Sequence, residues 1–476
     1  MGVMKKDEYQ AVIIGGGSGG YAAASKLADY GISTVVIDAS EELGGLCILR
    51  GCMPSKALIE SANLMRKMRD SNEFGIHVSD LKVSMDEVQD RKQRLIDGFK
   101  KYRVDQLQSG KFDLIRGKAV FTGDREVEVQ SQEENRKIRF KYAIISTGSL
   151  PVIPKIDGLE DVDFWLSRDA LQARELPEHL IIVGGGAIGC EMAHCFEGLG
   201  SKVTIMQRTG CLVSDLGGET SDVIRQVSQQ RGIEVLCSTS PKSVRKSGDK
   251  VVVEYESEDG VSEVSGSHLL VATGREPATE GLGLELAGVE KQGKRIEVNQ
   301  LCQTSSSHIF AIGDVGNKNP VVHKAVIQGE EVARQIAIEL GKLDGEFKSS
   351  LEVENELFGV FTHPECARAG MSNSEISKTE IETESARYDF ADHGKAEILG
   401  ETIGFVKLIC EKRTGQILAA EAVGPEAINL IHEIQIAIHA KMSVMEFSKI
   451  PHYHPTLAEI WTYPAESLSG SLESGS

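Results

Sequence analysis

Two glycine clusters, far apart in the chain, set the strongest limit on what it can fold into. Tyr9 to Ile14 is a short apolar run leading into Gly15-Gly16-Gly17-Ser18-Gly19-Gly20, and a helical stretch ending near Gly31 precedes Thr34-Val35-Val36-Ile37-Asp38. The order predicted is strand, glycine-rich turn, helix, strand. Gly15, Gly17 and Gly20 fit the spacing G-x-G-x-x-G. The first makes the tight turn, the second lets a pyrophosphate approach the backbone, and the third lets helix pack closely on strand. Asp38 ends the second strand, the place in such a unit where a carboxylate accepts hydrogen bonds from a ribose 2′-hydroxyl. Ile181-Ile182-Val183-Gly184-Gly185-Gly186-Ala187-Ile188-Gly189 repeats the first cluster nearly residue for residue, and Leu269 to Gly274 echoes Tyr142 to Gly148. Two dinucleotide-binding domains are expected, one nested in the other.

The second cluster departs from the first at its far end. The offset that leads from Gly20 to Asp38, counted again from Gly189, lands on Gln207, followed by Arg208. No carboxylate is present for a 2′-hydroxyl, and Arg208 is either a partner for a 2′-phosphate or a solvated surface arginine. Gly189 itself matches fingerprints that take NAD. The choice between NAD and NADP stays open.

Between the clusters lies Gly44-Gly45-Leu46-Cys47-Ile48-Leu49-Arg50-Gly51-Cys52-Met53-Pro54-Ser55-Lys56. Two cysteines five positions apart meet the start of an expected helix, with Pro54 where a first-turn proline is tolerated. A thiolate near a helix N-terminus is stabilised by the local positive potential, so such a pair can act as nucleophile and leaving group. Taken alone, C-x4-C reads more readily as a structural disulfide or two core thiols. Its place directly after a dinucleotide-binding unit favours the reactive reading.

Composition narrows the classes further. With 476 residues the chain exceeds one ordinary core, and two to four domains are expected. Lys plus Arg is 52 against 71 for Asp plus Glu, a net charge of −19, which argues against nucleic-acid or anionic-membrane partners. No apolar run is long enough to cross a bilayer as a helix, so no membrane span is read. The first strand begins near Glu8, which leaves no space for a signal peptide. Nine scattered cysteines do not form a secreted disulfide framework. A cytoplasmic protein with no bound metal is expected.

The remaining segments are read in order. Ala57 to about Gly110 is polar and helix-rich, Phe112 to Val129 alternates like hairpin strands, and Pro151 and Pro154 mark a linker. Ile309-Phe310-Ala311-Ile312-Gly313-Asp314 delivers Asp314 to the C-terminal end of a strand, where ligands sit in open α/β sheets. The character changes near Leu351. Strand-like alternation then includes Gly404 to Ile409, and a helix follows with Ile428, Ile431, Ile434 and Ile438 on or near one face. His454 with Glu459 five residues later is a candidate acid/base dyad, in which a carboxylate supports imidazolium. Ser467 to Ser476, rich in Ser and Gly, reads as a frayed tail.

These residues together carry a resemblance. The run Gly44 to Lys56 resembles the redox-active segment of the flavin-dependent pyridine nucleotide-disulfide oxidoreductases, the family containing dihydrolipoamide dehydrogenase, glutathione reductase and mercuric reductase. Thr304 to Asp314 resembles its second FAD motif, and His454-Pro455-Thr456-Leu457-Ala458-Glu459 its His-Pro-Thr-x-x-Glu. Ser55 and His323-Lys324-Ala325 place the resemblance closest to the dihydrolipoamide dehydrogenase branch, whereas Leu46, Leu49-Arg50 and Gln207-Arg208 depart from that branch.

The resemblance implies an α/β fold of two nested Rossmann-like dinucleotide-binding domains plus a C-terminal α+β dimerisation domain. Residues 1–150 and 275–350 would bind FAD, 151–274 the nicotinamide cofactor, and 351–476 a second copy of the chain. It implies that Gly45, Lys56, Thr147, Gly148 and Asp314 join Gly15, Gly17, Gly20 and Asp38 around FAD. Gly184, Gly186, Gly189, Gln207, Arg208 and Gly274 would face the nicotinamide cofactor. By the same resemblance Cys47 is the interchange thiol, Cys52 lies against the flavin, Lys56 and Glu191 pair beside it, and His454 of the partner subunit is the base, supported by Glu459. The activity implied is oxidation of a small-molecule or lipoyl-domain dithiol, most simply dihydrolipoamide, in a homodimer that docks in a 2-oxoacid dehydrogenase complex or acts alone. An NADPH-dependent reductase of another disulfide or electrophile is the first alternative, and a non-catalytic flavin-binding scaffold the second.

Overall fold

In the computed structural model, which describes residues 7–132, 134–258, 260–317, 319–346 and 356–474, the first apolar run is strand β1 (Glu8–Ile14). Helix α1 (Ser18–Asp29) and strand β2 (Thr34–Asp38) follow as the glycine pattern predicts. β1 lies inside a seven-stranded sheet, parallel to β2 on one side and to Arg136–Ile145 on the other. All five residues of β2 are buried, as expected for a parallel strand covered on both faces. Asp113–Arg116 lies beyond β2, and Ile309–Ala311 runs parallel to the last residues of Arg136–Ile145. The expected hairpin is present as Lys118–Gly123 paired antiparallel with Glu126–Gln130. Helix Val322–Glu339 crosses α1 at glycines. A Cβ on Gly329 would lie 2.4 Å from the Gly19 carbonyl oxygen, so only backbone-to-backbone approach fits there.

The described residues divide into two compact units. One draws on the segments Met1–Pro54, Asp90–Val152 and Arg275–Leu351, the other on Ser55–Gln89, Ile153–Gly274 and Glu352–Ser476. Where a proline-marked linker was expected, Ser149–Pro151 is a short strand paired antiparallel with Arg275–Pro277. The chain therefore leaves the first unit and returns to it side by side. Pro151 is tolerated because a two-stranded ribbon leaves it on an edge. The change of character read near Leu351 lies outside the described residues.

In the second unit, Glu234–Leu236, Lys202–Met206, His179–Val183 and His268–Val271 form a parallel four-stranded sheet. Helix Ala187–Leu199 follows the second glycine cluster, and a three-stranded antiparallel sheet of Ser240–Ser247, Lys250–Ser257 and Gly260–Gly266 accompanies it. The last third contains a five-stranded antiparallel sheet in the order Leu357–Val360, Glu365–Gly370, Ile417–Gly424, Phe405–Glu411, Thr383–Asp389. Helix Ala427–His439 buries Ile431, Ile434 and Ile438 in the core beside this sheet, while Ile428 is half-buried.

One expectation is corrected. Ser467 onward is no frayed tail: helix Thr462–Ser474 continues through it, with residues 475–476 outside the described part. Leu468 is buried and Leu472 packs beside it on the same core, so two leucines four apart anchor a segment whose serines and glycine face outward. Among the described residues no helix is long and apolar enough to cross a membrane.

Candidate active site

The first glycine cluster forms a cradle with an open mouth. Gly15 takes φ +105°, and a Cβ there would lie 2.4 Å from the Ser146 carbonyl oxygen. A Cβ on Gly20 would lie 2.0 Å from the Gly15 oxygen. Gly17 is the N-cap of α1, has no side-chain cap, and a Cβ there would meet nothing within 4 Å. The first N–H groups of α1 thus face open space, a ready seat for a pyrophosphate. Asp38 Oδ2 accepts the Gly16 N–H at 2.7 Å and Oδ1 accepts the Ser40 N–H at 2.9 Å, which fixes the carboxylate at the sheet end. These features fit a dinucleotide such as FAD.

The cysteine segment starts on this cradle. Gly45, at φ +79°, comes so near that its Cβ would lie 2.9 Å from Gly17 Cα. A one-turn helix α2 (Leu46–Arg50) then carries Cys47, and Cys52 opens helix α3 (Cys52–Arg69) with Pro54 in its first turn. Both cysteines are half-buried. The buried cysteines behave otherwise: desolvation pushes Cys195, Cys302 and Cys366 up to about 12, where they are inert thiols.

Further residues gather near the same cradle. Thr147 donates its hydroxyl to the Ala278 carbonyl at 2.7 Å, and Gly148 takes φ +74°. Asp314 Oδ2 accepts the Ser149 hydroxyl at 2.5 Å, and Arg275 donates from Nε to the same hydroxyl at 2.8 Å. Arg275 was not picked out from sequence, although it directly follows Gly274. Burial lowers its pKa, and the charges of Asp314 and Cys52 oppose that. It is a cation kept within electrostatic reach of Cys52.

In the second unit, Lys56 Nζ meets both oxygens of Glu191 at 2.9 and 2.8 Å, with Glu191 largely buried. The pair is held from a third side. Glu191 also accepts the Phe361 N–H at 3.1 Å, and Lys56 Nζ lies 4.4 Å over the Phe361 ring. Nothing in its local sequence marks Phe361 for this role.

The second cradle copies the first in backbone. Gly184 takes φ +114°, a Cβ on Gly189 would lie 1.8 Å from the Gly184 oxygen, and Gly186 caps helix Ala187–Leu199 where a Cβ would meet nothing within 4 Å. Gly274, at φ +112°, follows the strand His268–Val271. Gln207 Oε1 accepts the Gly185 N–H at 3.0 Å, the bond that Asp38 makes to Gly16 in the first cradle. Its amide nitrogen donates to Thr209 at 2.7 Å, and Arg208 is exposed beside it. The offset carried over from the first cluster therefore found the structural equivalent, with an amide where the first site has a charge.

His454 and Glu459 come together as the spacing suggests. His454 Nδ1 lies 3.2 and 3.0 Å from the two carboxylate oxygens, with the ring 80% exposed and Glu459 buried. An imidazole held this way keeps Nε2 free toward solvent for proton transfer.

The chain matches the family model described as pyridine nucleotide-disulphide oxidoreductase over residues 9–329, and the dimerisation domain of that family over 358–465. It is 32% identical over 466 residues to a dihydrolipoyl dehydrogenase of Geobacillus stearothermophilus, covering 98% of this chain and 97% of the relative. It is 34% identical over 467 residues to one of Buchnera aphidicola, covering 97% and 96%. Among solved structures it is similar to the HOCl-induced flavoprotein disulfide reductase RclA from Escherichia coli, with TM-score 0.84, 25% identity, and 99% and 100% of the two chains covered. LpdA from Mycobacterium tuberculosis gives TM-score 0.84 at 26% identity, over 96% and 99%. With both cradles, the paired cysteines and these matches spanning nearly its whole length, the chain belongs to the pyridine nucleotide-disulphide oxidoreductase family and is an oxidoreductase that uses FAD and a nicotinamide dinucleotide.

Proposed function

We propose that the chain oxidises dihydrolipoamide, with Cys47 and Cys52 as the redox-active disulfide and NAD as the final acceptor. The observation that carries this reading is the seating of Gly45 against Gly17, which makes the cysteine segment begin at the mouth of the first cradle. A substrate thiolate attacks Cys47 Sγ, the bond to Cys52 breaks, and Cys52 leaves as a thiolate near the Arg275 cation. The second substrate thiol gives its proton to His454 and displaces Cys47, closing the substrate disulfide. His454 is needed because a thiol near its ordinary pKa of about 8.5 is mostly protonated at neutral pH, whereas imidazole titrates near 6.5. FAD, which Gly15, Gly17, Gly20 and Asp38 would hold, would supply two-electron chemistry between the cysteine pair and the nicotinamide. In this reading Lys56, held by Glu191, would supply positive charge that stabilises a reduced flavin.

The organisation in this reading is FAD binding by 1–150 and 275–350, nicotinamide binding by 151–274, and dimerisation through 351–476. The dimerisation match supports a homodimer, and in this reading His454 of the partner subunit serves each cysteine pair. The names of the relatives support a dihydrolipoyl group as substrate, and a lipoyl-domain dithiol in a 2-oxoacid dehydrogenase complex belongs to the same proposal. Nine scattered cysteines suit a reducing, cytoplasmic setting. Cys47→Ser is expected to abolish dihydrolipoamide oxidation while the purified protein keeps its flavin absorbance. Activity that survives would remove the pair from the reaction.

A second reading is favoured by Gln207 and the exposed Arg208, which offer an amide and a cation in place of a carboxylate. It is an NADPH-dependent reductase of another disulfide or an electrophile. Steady-state assays that cross NADH and NADPH with lipoamide and glutathione disulfide separate the two.

A further inference from the structure

His393 is a histidine that neither reading uses. It precedes the short helix Gly394–Leu399, its ring is fully buried, and neither ring nitrogen has a hydrogen-bond partner among the described residues. A buried polar group left unpaired is destabilising, so its position calls for a physical reason. Its Nε2 lies 3.6 Å from Glu459 Oε1. That is the carboxylate whose oxygens stand 3.2 and 3.0 Å from Nδ1 of His454. One carboxylate thus sits between two imidazoles, one 80% exposed and the other 0%.

The cage around His393 decides its state. Phe390 and Tyr463 meet the ring edge-on, with centroids 6.4 and 6.1 Å away, and Tyr463 stacks on Tyr388 at 4.1 Å. The Tyr388 hydroxyl is turned to the Asp392 carbonyl at 2.9 Å, and the chain neighbours Asp392 and Glu397 are exposed. Glu459 and His454 are the charged groups that act on the ring. Burial pulls its pKa down, Glu459 pulls it up, and His454 lowers it further. A second cation on the same carboxylate would compete with His454, so His393 stays neutral and carries one N–H. With a carboxylate facing Nε2, the tautomer protonated there is favoured. A separation of 3.6 Å exceeds a hydrogen bond, but contacts of this kind in resting enzymes tighten when the active complex forms.

We infer that His393 is a positioning residue for the acid/base pair: as a neutral Nε2–H donor it steadies Glu459 from the buried side and tempers the carboxylate's pull on the His454 imidazolium. The inference rests on the proposed role of His454 as base. Without the donor, the Glu459 charge falls wholly on His454 and the imidazolium is held more tightly. The base then frees itself only at higher pH.

The test is the pH profile of kcat/KM for dihydrolipoamide oxidation by the holoenzyme. His393→Leu is expected to lower kcat about tenfold and to move the acid limb up by about half a pH unit or more. His393→Gln, which restores an uncharged N–H donor, is expected to return the limb to the wild-type position. Nicotinamide-driven reduction of ferricyanide, which bypasses the thiols, is expected to stay unchanged in both variants, unlike in a protein with a general folding defect. A limb that stays put in His393→Leu, or that His393→Gln fails to restore, would overturn the inference. His454→Gln, assayed alongside, separates the two claims. If it oxidises dihydrolipoamide at the wild-type rate, the acid/base reading itself falls. If it is slow while His393→Leu keeps the wild-type limb, only the role of His393 falls. Should His393→Leu not fold, nitrogen NMR of histidine-labelled wild-type protein decides. His393 is expected to remain a neutral Nε2–H ring between about pH 5 and 8, and a ring protonated on Nδ1, or charged together with His454, contradicts the inference.

Discussion

Gly15 and Gly17 stand two residues apart and have different reasons to be glycine. Gly15 is held at φ +105° with a carbonyl where its Cβ would go, whereas Gly17 has φ −67° and empty space before it. Gly15→Ala is therefore expected to destabilise the fold itself, by about 1–3 kcal/mol. Gly17→Ala is expected to leave apoprotein stability within about 0.5 kcal/mol and to reduce flavin retention, because the methyl enters the seat of the pyrophosphate. Thermal melts of apoprotein together with flavin content check both, and equal behaviour of the two variants would contradict the assignment. The difference is invisible in the motif, which names both positions alike. Counting residues located Gln207, because strand and helix lengths in such a unit are constrained. It gave no access to Arg275 or Phe361, whose partners Ser149 and Glu191 lie 126 and 170 residues away in the chain. Contacts at that separation come from packing, which no local pattern encodes.

At the level of elements, periodicity reported well wherever apolar residues dominate. β1, α1 and β2 follow their runs closely, and the face of Ala427–His439 marked by isoleucines is the buried one. It failed at Thr462–Ser474, where serines and glycine outnumber the leucines that anchor the helix. Leu468 is 1% exposed there and Ser471 bonds Glu384 of the neighbouring strand. Leu468→Ala is expected to cost about 2–5 kcal/mol, measured by denaturant unfolding, whereas a frayed tail would show no change. The strand pair Ser149–Pro151 and Arg275–Pro277 was likewise hidden. Prolines signal a break in helix or central strand, and a two-stranded ribbon is neither.

Across the whole molecule, histidines buried in neutral form link stability to pH. His194 is 2% exposed, its Nδ1 accepts the His363 N–H at 3.2 Å, and burial holds its pKa well below the ordinary value. Burial also lowers His363 to about 3. Both pKa values are depressed in the folded state, so between about pH 6.5 and 3 the unfolded chain binds protons that the folded chain does not. Their contribution is complete above pH 6.5 and declines as pH falls through that window, by up to about 1.4 kcal/mol per pH unit for each proton. Denaturant midpoints are expected to fall between pH 7 and pH 5, and His363→Gln to flatten that slope. A slope unchanged by the substitution would show that His363 is already protonated in the folded protein. The dithiol relay depends on no such bulk property. It depends on which sulfurs change state when electrons enter the enzyme. Differential alkylation with peptide mapping, before and after anaerobic two-electron reduction of the holoenzyme by NADH or NADPH, reads this directly. Two new thiols are predicted, at Cys47 and Cys52, with every other cysteine unchanged. No new thiols at these positions, or new thiols at any other pair, would contradict the account.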